Sequence, residues 1–415
     1  MKIKLLYIFF IFMIIVTDYT FAKKPTEFKI ASKYKYDSFI SCVAVENKNG
    51  NLFAVATEKA IFFYDKKGKI SKEILLSKFR QKDEKAYAAL SNNAQYFAIE
   101  RSRGLYETIW GMFEYRDKNG NLLFKRNRDD YGDEIFKIMP DGKEIVFVNQ
   151  NNGRIYIVDK NGRLLLDRKP EINEYVGGIQ IEFSKNEKFC LIGVSLGASG
   201  DSSFINLIDL KNHSSVFERT IPGLHLENIA VSDNGRYVFG GVVWEQRPGF
   251  KPEIKGEYAY LYALNKMLWE KKDSGGFVSI TPDGRSIILS SMTNSNIIPQ
   301  AVIVSIYNDN GSPVYQLRLS DLNLPIANQY SVHSFYSYHK SNDTYHVISF
   351  DRFNVDDYLV SFKNRGNDLA IFNMPAKEPE NELGYQMTGL NTNRLKIAGN
   401  SIYLIGKSII IRLKR

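Results

Sequence analysis

An all-β chain built from repeated four-stranded units is what this sequence predicts, and three observations carry that reading. Tight turns with Asn, Asp or Gly at their centre return at nearly even spacing between residues 49 and 400. Short apolar strands flank most of them, and the chain is rich in Tyr (25) and Phe (27), which suit a half-buried pleated surface. Helical periodicity is absent beyond the first 22 residues. The length, 415 residues, fits two or three ordinary domains or one large repeat architecture. With 44% apolar and 24% charged residues the composition is that of a globular protein and excludes a disordered or fibrous chain.

In chain order, the first element is an export signal. Lys2 and Lys4 precede an unbroken apolar run of 12 residues, Leu5 to Val16, and Thr20-Phe21-Ala22 places small residues at −3 and −1 of a cleavage site. That run is shorter than the ~20 residues a membrane span needs. The first Cys is Cys42, so no lipoprotein anchor follows the run, and no later stretch is long enough to span a bilayer. The sequence therefore divides into a secretory signal peptide, 1–22, and one domain, 23–415, that is exported to the periplasm or the extracellular space without a transmembrane anchor. Removing two Lys and one Asp takes the net charge from +9 to +8. Such a surface suits anionic lipid, acidic polysaccharide or an acidic protein, while export speaks against nucleic acid.

The repeat unit is clearest between residues 134 and 168. Four strands are expected there, near 134–139, 143–149, 153–158 and 163–168. The turn Pro140-Asp141-Gly142 fixes φ near −65° at Pro and allows a positive φ at Gly, and Asp159-Lys160-Asn161-Gly162 closes the second hairpin. The first turn returns as Asn49-Gly50, Asn93-Ala94, Asp141-Gly142, Asn186-Glu187, Asn234-Gly235, Asp283-Gly284, Asn342-Asp343 and Gly399-Asn400. Between the second residues of these pairs the spacings are 44, 48, 45, 48, 49, 59 and 57. The second turn returns at Asp65–Gly68, Asp117–Gly120 and Asn308–Gly311. Groups of four short strands at this period are the mark of β-propeller blades.

At this point the chain resembles the broad propeller families of exported bacterial proteins. Met139-Pro-Asp-Gly142 and Thr281-Pro-Asp-Gly284 are similar to the turns of YVTN and TolB-type repeats. Tyr260-Leu-Tyr-Ala-Leu264 followed by Leu268-Trp269-Glu270 resembles the PQQ-type repeat. The resemblance covers nearly all of residues 27–415. The Trp-Asp dipeptide of WD repeats is missing, so the likeness is WD-like in architecture only. These are turn and strand patterns, and they specify architecture rather than chemistry.

Eight anchors imply eight blades, with seven as the alternative because the units at 333–365 and at the C-terminus are the weakest. The last unit offers three strands, Leu395–Ala398, Ser401–Ile405 and Ser408–Leu413, and Glu27–Ser32 is a spare strand after the signal peptide. Pairing the N-terminal strand into the last blade closes the ring and removes two exposed edges.

Up-and-down strands put the tight first and third turns on one face. The second-to-third and inter-blade connections fall on the other, where longer segments are expected at Glu100–Gly111, Val194–Ser203, Gly241–Tyr258 and Ser290–Ala301. Function concentrates on such loops. They hold Arg101, Arg103, Tyr106 and Trp110, and Trp244, Glu245, Arg247 and Phe250, the candidate binding face. Trp, Tyr and Arg are the residues that most often anchor interfaces; the alternative is that these aromatics pack over the blade cores. Trp269, in a regular outer-strand position, reads as structural.

Catalytic signatures are missing. His333, His339 and His346 fall close together but lack the ligand spacing of a zinc site, and His213 and His225 stand alone. Cys42 and Cys190 fall in the first and fourth blades, too far apart around a ring for a disulfide. Asp117–Gly120 lacks the remaining ligands of a calcium loop, Ser232–Gly235 is one residue short of a sialidase Asp-box, and no nucleophile elbow exists. Asp129-Asp130 and Asp356-Asp357 are adjacent acids of the kind common in turns. The expectation is a non-enzymatic binding or scaffold propeller without a cofactor, whose partner is a protein or an envelope polysaccharide. The alternative is a polysaccharide-acting hydrolase or lyase.

Overall fold

The computed structural model describes residues 26–45, 51–81, 84–103, 110–127, 134–170, 176–197, 202–245, 253–272, 277–290, 303–318, 333–339, 344–350, 357–363, 369–374, 395–398, 401–406 and 408–414. Their strands form eight sheets, seven of four strands and one of five. Blade 1 consists of Ile40–Val45, Leu52–Thr57, Ala60–Tyr64 and Ile70–Leu75. Blade 2 consists of Lys85–Leu90, Tyr96–Arg103, Trp110–Asp117 and Leu122–Asn127. Blade 3 is Glu134–Ile138, Glu144–Asn149, Ile155–Asp159 and Leu164–Arg168, within two residues of the strands read from the sequence. Blade 4 is Val176–Phe183, Phe189–Leu196, Ser202–Asp209 and Ser214–Pro222; blade 5 is His225–Val231, Arg236–Glu245, Glu253–Ala263 and Lys266–Lys272. Blade 6 is Phe277–Ile280, Ser286–Ser290, Ile303–Asn308 and Pro313–Arg318, and blade 7 begins with His333–His339, Thr344–Phe350, Asp357–Lys363 and Ala370–Met374. Blade 8 joins Leu395–Ala398, Ser401–Ile405 and Ile409–Lys414 to the N-terminal strand Lys29–Lys35.

First strands of successive blades lie beside one another, as His225–Val231 does with Val176–Phe183 and Phe277–Ile280, so they are the inner strands of the ring. Fourth strands are mostly exposed, in Leu122–Asn127 and Leu164–Arg168 among others, and form its outer rim. Among the described side chains the contacts between blades are apolar, which is what holds a propeller together. Ile61 meets Ile99, Phe113 meets Phe136 and Phe147 edge-on at 4.9 and 5.0 Å, and Ile157 shares a cluster with Cys190. Leu191 packs with Phe239, Leu261 with Val278, Leu359 with Leu404, and Tyr403 with Val55. The first strands of blades 6 and 7 complete the circle.

Closure uses the N-terminal segment twice. Lys29–Lys35 pairs antiparallel with Ile409–Lys414 as the outer strand of blade 8, so the closing strand runs to Lys35, beyond the expected Ser32. Thr26 and Glu27 pair in parallel with Ala370 and Ile371 and make the fifth strand of blade 7. Phe28, between the two pairings, is buried in a cluster with Leu359, Ala370 and Leu404.

The turns explain the sequence repeat. Ser91, Ser184, Ser232 and Thr281 each bind the Asx two residues on, through Asn93, Asn186, Asn234 and Asp283 at 2.7, 2.9, 2.6 and 2.5 Å. These Asx side chains and their neighbours then reach the next blade. Asn93 Nδ2 donates to the Asp141 carbonyl (2.9 Å), Asn186 Nδ2 to that of Asp233 (3.0 Å) and Asn234 Nδ2 to that of Asp283 (2.9 Å). The recurrent turn is therefore an inter-blade staple. In the third-to-fourth turns, Asp117 Oδ1 accepts the amides of Asn119 and Asn121 (both 2.9 Å); burial pushes its carboxyl up, but these bonds with those from the Asn121 side chain and Gly120 outweigh it and hold the carboxyl below the usual range. A register shift beside this turn recurs in blades 1 to 6.

Candidate functional site

Stapling ties the first turns of blades 2, 4 and 5 to the next blade, and the variable segments lie on the face of the second-to-third connections. There the structure corrects the sequence reading: the long segments are shorter, because the strands run on into them. Glu100–Arg103 and Trp110–Gly111 are strand, with Arg103 opposite Trp110. Gly241–Glu245 and Glu253–Tyr258 are strand as well, with Trp244 opposite Ile254 and Glu245 opposite Glu253. Aromatic and β-branched residues at alternate positions continue a hairpin as readily as they line a loop. Val194–Leu196 and Ser202–Ser203 likewise belong to strands. Tyr106, Arg247 and Phe250 lie outside the described residues, as do 291–302, Asp129, Asp130 and Asp356.

Arg101 is not a loop residue. It sits in the second strand of blade 2 with a side chain only 12% exposed, its guanidinium 2.7 Å from Glu114 Oε1 and 3.4 Å from Glu84 Oε2. Arg116 binds the other Glu114 oxygen at 2.6 Å and covers the ring of Phe79 at 4.5 Å. Two buried carboxylates thus share two guanidiniums where blade 2 faces the connection from blade 1. Sequence reasoning missed Glu84, Glu114 and Arg116, although charged residues at alternate positions of apolar strands are a signal for such a network.

Blade 5 differs from its neighbours. Its first strand stops pairing at His225 opposite Val242, and among the described residues its outer strand is paired as far as Lys272 opposite Tyr258. The pairs Val243–Gly256, Trp244–Ile254 and Glu245–Glu253 continue as a two-stranded arm, about 10 Å of extra reach at 3.3 Å per residue. Arg247 and Phe250 belong to the segment that joins its two strands in sequence.

The inner strands line the axis with their half-buried residues. Ala89, Lys137, Glu182, Ala230 and Ser279 each stand two positions before the residue that opens the first turn (Ser91, Met139, Ser184, Ser232, Thr281), so they form one level of the channel. Lys137 Nζ reaches Glu182 Oε1 at 2.9 Å and the Ile181 carbonyl at 2.6 Å. Lys396 of blade 8 feels the charges of Lys137 and Glu182 and lies near Cys42, and burial holds its ammonium below the usual lysine range. Nearer the other mouth, burial and then the neighbouring Glu257 push Glu227 up to about 7, with His225 Nε2 3.7 Å from its carboxylate.

Remaining candidates resolve individually. Cys190 is buried and burial pushes its thiol up; Cys42 is half-buried, and both are free. His213 meets Glu144 of blade 3 at 3.1 Å. His346 pairs with Ser337, one strand over from His333 and His339. Among the described residues no group of three or more His, Cys, Asp or Glu gathers as a metal site, and no helix is long and apolar enough to cross a membrane. Trp269 is structural, packed against Tyr307 at 6.2 Å.

No family model matches the chain, and no curated protein matches it. Solved structures do. The Chaetomium thermophilum Sqt1 bound to the N-terminus of the ribosomal protein L10 superposes with a TM-score of 0.58 at 10% identity, covering 94% of this chain and 100% of that one. KlAtg21, in complex with the coiled coil of AgAtg16, gives 0.49 at 11% identity over 80% and 98%. The β-propeller domain of the trilobed protease from Pyrococcus furiosus, with its open velcro topology, gives 0.40 at 14% over 76% and 88%. What the likeness to Sqt1 shows is the fold alone, a β-propeller; the four-stranded blades and the closing N-terminal strand are seen in the sheets themselves.

Proposed function

We propose that this chain is an exported, non-enzymatic propeller that captures a protein partner on the face of its second-to-third connections, led by the arm of blade 5. The observation that carries the reading is that arm: two strands that outrun their sheet and bring Trp244 and Glu245, and in sequence Arg247 and Phe250, beyond the blade. A rigid ring with one stapled face and one projecting hairpin offers a preorganised surface, which lowers the entropic cost of binding. Anchors of the Trp and Arg type suit desolvated pockets. A propeller of similar fold, Sqt1, is bound to the N-terminus of a ribosomal protein, an analogy of architecture. Residues 1–22 supply the export signal, so the mature chain begins at Lys23.

The test is crosslinking of the mature, tagged protein in its native envelope fraction, with captured material and the bait's N-terminus identified by mass spectrometry. A folded Trp244→Ala/Arg247→Ala variant runs beside it. A defined protein captured by the wild type and lost in the variant is the expected result. Equal capture by both removes the arm from the interface, and glycan on the bait with no protein replaces this reading by the polysaccharide-acting one. A bait that starts at Met1 overturns export.

A further inference from the structure

A register shift sits at one end of the outer strand in blades 1 to 6 and again in blade 8, where Ile30 and Ser32 face Leu413 and Arg412. The residue on the turn side of the shift is therefore one structural position repeated around the ring. It is Ile70, Leu122 and Leu164 in blades 1 to 3, Met267 in blade 5 and Ile30 in blade 8. All five are 45 to 55% exposed, so each keeps apolar surface still to bury. Blade 4 has Ser215 there and blade 6 has Pro313, followed by the exposed Val314. A bulge re-aims the side chains beside it, and here it leaves aliphatic prongs along the outer edge of the tight-turn face. Exposed aliphatics scattered singly are ordinary; five at one position of a repeat are a pattern.

The turns between the prongs are basic. Asp65-Lys66-Lys67-Gly68-Lys69, Asp117-Lys118-Asn119-Gly120-Asn121 and Asp159-Lys160-Asn161-Gly162-Arg163 carry six exposed cations against three carboxylates. Each carboxylate accepts two amides of its own turn, and Asp159 also meets Arg163 at 3.3 Å. In blade 8 the exposed Lys29 stands opposite the exposed Lys414. Blades 8, 1, 2 and 3 are neighbours, so prongs and cations share one arc of the rim.

We propose that this arc docks the propeller, tight-turn face down, on an anionic lipid bilayer. Ile30, Ile70, Leu122 and Leu164 sink among the acyl chains just below the headgroups, while the lysines between them meet lipid phosphates. Two features favour a bilayer over an acidic protein. A protein partner is gripped by one contiguous apolar patch, whereas these prongs stand one to a blade with charged turns between them. Their shared position also puts them on one level of a rigid ring, which a planar, fluid surface can meet all at once. The arc lies on the face opposite the arm of blade 5, so this reading and the partner reading do not depend on each other.

The experiment is co-sedimentation of the chain 23–415, which lacks the apolar run 5–16, with vesicles of equal parts phosphatidylcholine and phosphatidylglycerol. Vesicles of phosphatidylcholine alone and beads carrying alginate run beside them. Saturable binding to the mixed vesicles is expected, weak on phosphatidylcholine alone and falling as salt is raised. Replacing Lys66, Lys67 and Lys69 together by Gln should weaken binding roughly fivefold per lysine, about a hundredfold in all. The variant Ile70→Ser/Leu122→Ser/Leu164→Ser should weaken it about tenfold or more at unchanged charge, which electrostatic adsorption alone would not give. Circular dichroism checks that both variants are folded, and the lysine variant, altered only at exposed side chains, serves if the apolar one is not. A wild-type chain that ignores mixed vesicles, or binds both vesicle types equally, overturns the proposal. So does vesicle binding that folded variants leave unchanged, and capture on alginate without any on vesicles replaces the bilayer by an acidic polysaccharide.

Discussion

Replacing Glu227 by Gln should make the protein more stable above neutral pH and leave it little changed in acid. Glu227 sits in the inner strand of blade 5, at a register shift opposite Gly240 and Gly241, with its side chain 23% exposed. Burial first, and the nearby Glu257 second, raise its carboxyl from 4.5 to about 7. The unfolded chain releases this proton near 4.5 while the folded chain holds it to about 7. The stability the group contributes is therefore fully present below 4.5 and lost as pH rises through 7. At about 1.36 kcal/mol per pH unit, the folded protein gives up about 3 kcal/mol by the time the group is ionised. Gln cannot ionise, and the Glu227 carbonyl that accepts Gln180 Nε2 at 2.7 Å is backbone and stays in place. His225 Nε2 lies 3.7 Å from the carboxylate. Urea unfolding of both proteins near pH 5 and near pH 8 measures the effect. The gap between variant and wild type should widen by about 2.5 kcal/mol in favour of the variant at the higher pH. A gap that is the same at both pH values refutes the assignment of a raised carboxyl to this residue.

Other perturbations follow from the same coordinates. Arg101→Met leaves the buried Glu84 without its guanidinium and should cost about 3 kcal/mol in chemical denaturation, whereas a surface role would leave stability unchanged. Gly241→Ala drives a Cβ into the His225 carbonyl, which as backbone cannot swing aside, and should cost about 2 kcal/mol or more with the inner strand of blade 5 losing amide-exchange protection.

Sequence alone was most informative where structure is local. The Asx turns announced themselves because Asn93, Asn186 and Asn234 must each satisfy a neighbouring amide and reach the next blade, while Asp141 and Asp283 accept the amide two residues on. The blade 3 strands could be read to within two residues for the same reason. Loop lengths were less legible. A hairpin that continues past its sheet has the same alternation as one that stays within it, so Gly241–Glu245 looked like a connection until pairing with Glu253–Gly256 was seen. Arg101 was misjudged because its partners, Glu84 and Glu114, lie 17 and 13 residues away. Channel residues such as Lys137 and Lys396 were invisible for a third reason: which side of an inner strand faces the axis depends on the register of the whole ring.

The double latch at the N-terminus fixes an order of events. The strand Lys29–Lys35 is made before blades 1 to 7, but its partner Ile409–Lys414 is made after them. Bringing ends so far apart in sequence together costs about 5 kcal/mol of loop entropy if the intervening chain is unstructured. Prior folding of blades 1 to 6 removes most of that search, since their sheets need neither terminus. The ring should therefore remain open through most of its assembly, and for that interval the edges of blades 7 and 8 are free to pair with another molecule. Thr26–Glu27 and Lys29–Lys35 cover both edges with one continuous segment, so a nascent chain passes from its most aggregation-prone state to its sealed one in a single docking step.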